Sequence, residues 1–103
     1  MKTSGSAFEA LADPTRRAIL KRLRGGSLSA GELAEFFHLS KPTLSHHFRV
    51  LEVAGLVRAE KRGTNVVYAL QTGVLEDLAT EILELTGVGN NAANRKKKDG
   101  TSS

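Results

Sequence analysis

Residues 29–55 read SAGELAEFFHLSKPTLSHHFRVLEVAG, and this stretch decides the fold. Ser29 and Glu32 have the spacing of a capping box, in which each side chain satisfies a backbone N–H near the other residue. Ser40 is a second N-cap candidate, and Pro42 is tolerated in the first turn that follows it. The sequence therefore predicts two helices, of which the second spans residues 41–54, separated by a turn of three residues.

The apolar spacing of both helices fixes which faces are buried. Leu33, Ala34 and Phe37 make the inner face of the first helix, and small Ala34 suits a close crossing of the two helices. In the second helix Leu44, Phe48 and Leu51 follow one another at spacings of four and three, which is a helical period. Two helices crossing steeply across a short turn are typical of a helix-turn-helix unit.

Two further helices are predicted on the N-terminal side. Phe8 and Leu11 belong to a brief apolar stretch that stops at Asp13, which can cap a new helix with Pro14 in its first position. The helix that begins at Pro14 buries Ile19, Leu20 and Leu23, and Gly25-Gly26 ends it.

On the C-terminal side the pattern changes to that of strands. Residues 56–62 and 66–71 flank a turn at Arg62-Gly63-Thr64-Asn65, which predicts a β-hairpin. Thr72 is expected to cap a last helix that stops at Gly87 and has apolar residues at helical spacing: Leu75, Leu78, Ala79, Ile82 and Leu85 or Thr86. The predicted fold is mainly α with a small β-hairpin, a winged helix-turn-helix of about five helices plus a two-stranded wing. Residues 1–89 form its single domain, and residues 90–103 are predicted to be a disordered basic tail.

Composition excludes several classes of protein. The 103 residues include no Cys, so disulfide scaffolds, thiolate metal sites and cysteine nucleophiles are ruled out. The sequence has no apolar run of about 18 residues and no apolar signal segment, so a cytoplasmic, nucleoid-associated protein without membrane insertion is expected. The net charge is +4. Because residues 90–103 carry four bases and one acid, residues 1–89 are nearly neutral.

The exposed face of the residue 41–54 helix carries groups suited to the major groove of double-stranded DNA. Arg49 can bond guanine O6/N7 or a phosphate, and Thr43 and Ser45 can bond base edges. The hairpin adds charge that could reach a neighbouring groove. An ordinary solvated helix face and lysine-protected strand edge are the competing explanations. The predicted DNA-binding residues are Lys41, Pro42, Thr43, Ser45, His46, Arg49, Lys61 and Arg62.

Arg16 and Arg17 lie near the start of the helix that begins at Pro14, and two interpretations remain open for them. They could contact phosphates at the flank of a DNA site, or they could form salt bridges within the fold. The structural interpretation is favoured, because adjacent helix positions face different directions.

Metal and catalytic sites are not expected, and no cofactor is predicted. His46 and His47 are adjacent, which makes it hard for both to bind one ion, and His38 lies outside their helix. The acidic residues of the last helix fit a solvated face better than a cation site. The sequence has no nucleophile elbow, glycine-rich loop or paired carboxylates in a cleft, so it does not predict an enzyme.

Apolar residues at both ends of the domain exceed what its core needs, which predicts a homodimer. A two-fold axis would pair the first and last helices and place two recognition helices about 34 Å apart. Alternatively, these helices cover the core of their own protomer. The predicted interface residues are Phe8, Leu11, Leu75, Leu78 and Ile82.

Several motifs in order resemble the ArsR family of bacterial repressors, in its SdpR-like branch. They are Asp13-Pro14-Thr15-Arg16-Arg17-Ala18-Ile19-Leu20, Ser40-Lys41-Pro42-Thr43-Leu44-Ser45-His46-His47-Phe48, Val50-Leu51, Ala54-Gly55-Leu56-Val57 and Arg62-Gly63 with Tyr68. The resemblance implies a homodimer built on the first and last helices. It also implies an operator of inverted half-sites and repression of its own or a neighbouring gene.

The sequence departs from metal- and oxidant-sensing relatives of that family. Ser29, Gly31 and Ala34 occupy the positions of their third-helix thiolates, and the last helix contains no His. Thr64 replaces a large or basic residue that relatives often carry in the wing. The expectation is a metal-independent autorepressor. The alternatives are a regulator controlled by an unknown small molecule or sequestering protein, and a protein-binding adaptor.

Overall fold

The structure is a computed structural model that describes residues 4–87. Its elements follow in the order α1 (Ser4–Leu11), α2 (Pro14–Leu23), β1 (Leu28–Ser29), α3 (Ala30–Phe37), α4 (Lys41–Val53), β2 (Val57–Arg62), β3 (Asn65–Leu70) and α5 (Thr72–Thr86). The predicted five helices and wing are confirmed. The predicted tail at residues 90–103 lies outside the described residues.

The helix starts follow the capping signals in three places. Asp13 accepts from the backbone N–H of Arg16 at 3.0 Å. Ser29 Oγ accepts from the N–H of Glu32 at 3.1 Å while the Glu32 carboxylate accepts from the N–H of Ser29 at 2.8 Å, which completes the capping box. Ser40 Oγ accepts from the N–H of Thr43 at 3.3 Å. Each cap satisfies a backbone donor that the first turn leaves without a partner.

The predicted cap of α5 is wrong. Gln71 occupies the N-cap position, no side-chain cap bond forms within the described residues, and Thr72 is the first residue of the helix. The chain reaches α5 directly from β3, and Gln71 N–H donates to the carbonyl of Leu56 at 2.9 Å. Gly87 ends α5 as predicted, in the left-handed conformation at φ 83°.

The wing has one strand more than the sequence predicts. β2 and β3 pair antiparallel, from Val57 opposite Leu70 to Arg62 opposite Asn65, and Gly63 takes a positive φ of 62° in the turn between them. β1 pairs with the other edge of β3, with Leu28 opposite Tyr68, so the sheet order is β1-β3-β2. A strand of two residues has no periodicity, which is why the pattern could not reveal it.

Every helix and strand β2 contribute buried residues to a single core. Phe48 is buried at its centre and stacks on Tyr68, with 3.8 Å between ring centroids. The α1 residues that reach the core are small rather than large. The buried residues are Ala7, Ala10, Ile19, Leu20, Leu23, Leu33, Leu44, Phe48, Leu51, Ala54, Leu56, Val57 and Leu78.

Candidate nucleic-acid interface

Helix α4 divides into an apolar face inside the core and a polar face outside. Leu44, Phe48 and Leu51 are buried, and the structure leaves the outward residues in solvent. The exposed residues of α4 include all six that the sequence singled out on this helix: Lys41, Pro42, Thr43, Ser45, His46 and Arg49. The structure therefore brings these six together on one accessible surface, here called the α4 face.

The N-terminal end of the α4 face is ordered by the helix cap. Ser40 Oγ lies 3.0 Å from Thr43 Oγ1, in addition to accepting from the Thr43 backbone N–H. This contact restricts the rotation of the Thr43 side chain. Ser40 thus orients the Thr43 side chain, while the Thr43 hydroxyl proton can still be donated outward.

The wing places its two predicted residues at the exposed end of β2. Lys61 is exposed, and Arg62 Nη2 lies 3.1 Å from the Glu60 carboxylate in an ion pair open to solvent. Exposed pairs of this kind contribute only about 0–1 kcal/mol to stability, so the carboxylate competes weakly with a phosphate for Arg62.

A groove of about 240 Å³ separates the α4 face from the wing. Its floor includes Phe48 and Tyr68, and burial raises the pKa of the Tyr68 hydroxyl, with a smaller contribution from the Glu52 charge. Tyr68 thus remains a neutral donor at ordinary pH. The lining residues are Ala30, Gly31, Lys41, Leu44, Ser45, Phe48, Thr64, Asn65, Val66 and Tyr68.

The two arginines after Asp13 have structural partners, as the sequence favoured. Arg16 donates to the carbonyl oxygens of Ala10 and Glu9 at 2.8 and 3.2 Å. Arg17 donates to the carbonyl oxygen of Leu11 at 2.7 Å. The expected salt bridges are replaced by bonds to backbone carbonyls at the end of α1, which the spacing of charged residues could not indicate.

The predicted dimer residues fall into three groups. Phe8 and Ile82 are exposed, whereas Leu11 and Leu75 are partly buried against the core. Leu78 is 3% exposed and belongs to the core of its own protomer, so its assignment to an interface is corrected. An α-helix that packs on its own domain must commit at least one position of its apolar stripe to that contact.

Comparison with known proteins identifies the family. A family profile described as a helix-turn-helix domain matches residues 11–60. The transcriptional repressor SdpR of Bacillus subtilis is 41% identical over 86 residues, covering 84% of this chain and 96% of SdpR. The crystal structure of an ArsR-family transcriptional regulator designated RHA00566 has a TM-score of 0.78 and 32% identity, covering 84% of this chain and 90% of that one. The chain belongs to the ArsR family.

Other relatives agree with this assignment. The HTH-type transcriptional regulator Rv2034 of Mycobacterium tuberculosis is 46% identical over 76 residues, covering 74% of this chain and 71% of Rv2034. The predicted resemblance to the ArsR family and its SdpR-like branch is confirmed. ArsR-family proteins are transcription regulators with a DNA-binding helix-turn-helix fold rather than a class of enzymes. None of the helices within residues 4–87 is long and apolar enough to cross a membrane.

Ser29 and its neighbours have local structural uses in this ArsR-family chain. Ser29 makes both bonds of the α3 capping box, and Ala34 packs against the core. Gly31 lines the groove beside the wing. Within residues 4–87, no three His, Asp or Glu side chains are arranged to hold a metal ion.

The sequence indicated neither the full exposed apolar surface of α5 nor the contact made by His47. Leu83 and Leu85 are exposed apolar residues of α5, and Leu85 is 84% exposed. A single helical stripe includes Ile82 and allows Leu85, but it omits Leu83, which lies one residue further round the helix. The local sequence gives no sign of a structural role for His47, yet its Nδ1 lies 3.3 Å from Arg16 Nη1.

Proposed function

We propose that this chain is a homodimeric transcriptional repressor that binds an inverted-repeat operator upstream of its own gene. The observation that carries the proposal is the α4 face, where six outward residues suited to nucleic acid lie beside a basic wing. A DNA-bound repressor would be associated with the nucleoid. SdpR, which is 41% identical, is named a transcriptional repressor.

The proposed division of labour follows from chemistry. Arg49, Ser45 and Thr43 would contact base edges, because bidentate guanidinium and hydroxyl groups distinguish bases in the major groove. Lys41, Lys61 and Arg62 would neutralise phosphates and so set affinity and its salt dependence. Pro42 and His46 would shape and line the contact surface. The basic residues of 90–103 would add attraction that is independent of sequence.

The proposed dimer uses the surfaces that a single protomer leaves apolar. Phe8 on α1 and Ile82, Leu83 and Leu85 on α5 are exposed. Leu11 and Leu75 would complete the contact from its inner edge. Pairing these helices across a two-fold axis would set two α4 faces one turn of DNA apart, about 34 Å.

A DNA titration with Arg49→Ala tests the proposal. A labelled duplex from upstream of the gene should bind wild type specifically, and Arg49→Ala should weaken that binding by about 1–3 kcal/mol if Arg49 reads a base. Arg22→Ala is the matched control, because it removes the same charge from an exposed α2 residue that lies over the Phe36 ring rather than on α4 or among the proposed dimer residues. Equal affinities for wild type and Arg49→Ala would show that Arg49 does not contact a base edge.

Metal independence is part of the proposal. The chain has no Cys and its α5 has no His, so the thiolate and imidazole ligands used by many relatives are missing from these positions. Repeating the wild-type titration with zinc chloride in place of a chelator should give the same affinity. A zinc-dependent change in affinity would contradict this part.

Regulation by a small molecule is a second candidate, favoured by the groove between α4 and the wing. Because Lys41 and Ser45 line it, a ligand bound there would compete with DNA. A compound that raises the melting temperature of the protein should therefore also displace the labelled duplex. A sequestering protein would instead displace the duplex without filling the groove.

A further inference from the structure

Arg16 closes the C-terminal end of α1. Its Nε donates to the carbonyl of Ala10 at 2.8 Å and its Nη2 to the carbonyl of Glu9 at 3.2 Å. Arg17 Nη1 donates to the carbonyl of Leu11 at 2.7 Å. These carbonyls belong to the last turn of α1, where a helix leaves four C=O groups without helical partners. The two arginines of α2 therefore hold α1 in place.

Arg16 also reaches the recognition helix. Its Nη1 lies 3.3 Å from Nδ1 of His47, which is on α4 and partly buried, whereas the adjacent His46 is exposed. A guanidinium has donors and no acceptor, so Nδ1 must accept in this contact. An imidazolium has no acceptor nitrogen. The link from α1 through Arg16 to α4 consequently requires His47 to be neutral.

The surroundings of His47 favour its neutral form. Burial lowers the pKa of His47, and the positive charges of Arg16 and His46 lower it further. The Asp13 carboxylate opposes them and raises the pKa. Asp13 and Arg16 face His47 from α2 and His46 lies on its own helix, while α1 contributes the carbonyl of Glu9 through Arg16.

We propose that Arg16 is a positioning residue that fixes the recognition helix α4 against the end of α1 through the neutral imidazole of His47, so that protonation of His47 weakens operator binding. This rests on the proposed function, in which α4 reads DNA and α1 takes part in the dimer. Protonation would bring an N–H of His47 against the N–H of Arg16, and the two cations would separate. Each α4 would then be less firmly held relative to the dimer axis.

The expected pH window follows from the direction of the shift. Because the folded-state pKa lies below the usual value of 6.5, the unfolded chain binds the proton first. The stabilising effect of neutral His47 is therefore fully present above pH 6.5 and is lost as the pH falls through the folded-state pKa. Specific binding should suffer more than non-specific binding, since it needs both α4 helices at the correct spacing.

The test compares wild type with His47→Asn, which keeps a neutral acceptor near the Nδ1 position and cannot be protonated. Binding to the upstream duplex and to a random duplex of equal length is measured by fluorescence anisotropy at pH 7.5 and at successive values below 6.5 down to the onset of unfolding, because the wild-type transition lies at the lowered folded-state pKa of His47. For wild type, the ratio of specific to random affinity should fall about fivefold on acidification, the effect of losing one hydrogen bond. For His47→Asn the ratio should change less than twofold. Arg16→Lys should lower the ratio already at pH 7.5, because one ammonium cannot reach all three acceptors.

His38→Asn is the matched control. His38 is exposed and has a left-handed backbone with φ 54°, which Asn tolerates well. This variant removes a titrating histidine away from Arg16, so it should keep the full pH dependence of wild type. Loss of the pH dependence in His38→Asn would overturn the proposal.

Thermal unfolding without DNA separates this inference from the proposed function. The melting temperature of wild type should drop more between pH 7.5 and 5.5 than that of His47→Asn. If wild type shows no specific binding at pH 7.5, the proposed function is wrong, and the melting comparison still decides whether the link exists. Equal pH dependence of melting in wild type and His47→Asn overturns the inference. A melting difference with no difference in specific binding also overturns it, because the link then does not position α4.

Discussion

Helices α4 and α5 have 13 and 15 residues, but they end up with opposite kinds of free surface. Helix α4 begins at the Ser40 cap and buries three large residues. Its outward residues are mostly polar, with Val53 as an apolar exception at 74% exposure. Such a surface is compatible with water and with nucleic acid, so α4 needs no second protomer to cover its exposed face.

Helix α5 differs from α4 in both its N-terminal cap and the polarity of its exposed face. It begins with no side-chain cap bond among the described residues, and Leu78 is the residue it buries. Ile82, Leu83 and Leu85 remain exposed, and so do the acidic residues Glu76, Asp77 and Glu84. Clustered exposed apolar side chains of this kind mark protein contact surfaces. The comparison teaches that the polarity of the exposed face, rather than helix length or charge alone, distinguishes the helix proposed to face DNA from the helix proposed to face a second protomer.

The largest expected effect tests whether α4 is held by its inner face. Phe48→Ala should lower the free energy of unfolding by about 3–5 kcal/mol, because it leaves a cavity and removes the stacking on Tyr68. Val53→Ala on the same helix is the control and should change it by less than about 0.5 kcal/mol. Urea unfolding measures both. If the two variants lost similar stability, the buried face of α4 would not hold the helix more firmly than its exposed face, and the contrast drawn with α5 would be wrong.

The next effect tests whether a second protomer covers the exposed apolar residues of α5. Ile82→Glu places a charge among exposed apolar residues and should raise the dimer dissociation constant about thirtyfold, equal to about 2 kcal/mol. Thr80→Glu adds the same charge at another exposed position of α5, where the Thr80 hydroxyl bonds the carbonyl of Glu76 at 3.1 Å. Sedimentation equilibrium should show a small change for Thr80→Glu. Equal weakening by both variants would indicate general repulsion instead of a specific apolar contact.

Features that depend on one helical turn were predictable from sequence. The Ser29–Glu32 capping box and the Ser40 cap rest on contacts three residues apart, so their signal lies entirely within the local sequence. The outward face of α4 was predictable for a related reason, because the positions of Leu44 and Phe48 fix the direction of every other residue on the helix. Exposure of the six α4 residues is confirmed, and their contacts with DNA remain predictions.

Features that depend on distant pairing were not predictable. Strand β1 exists because Leu28 lies opposite Tyr68, 40 positions further along the chain. Arg16 meets His47 across 31 positions, and neither residue carries a local sign of the other. The burial of Leu78 depends likewise on how α5 lies over the core. Local periodicity selects an apolar stripe but cannot say which of its residues face the same protomer.

The smallest effect compares the starts of the two helices directly. Ser40→Ala removes the side-chain acceptor of the Thr43 N–H and should cost about 1 kcal/mol of unfolding free energy. Thr72→Ala at the start of α5 removes no cap bond and should cost close to nothing. Ser40→Asn, which can still cap, should recover most of the loss, and urea unfolding at one protein concentration compares the three variants. If Thr72→Ala were as costly as Ser40→Ala, the start of α5 would be stabilised by its Thr side chain. The N-terminal caps would then no longer distinguish the two helices, and α5 would differ from α4 only in its exposed apolar residues.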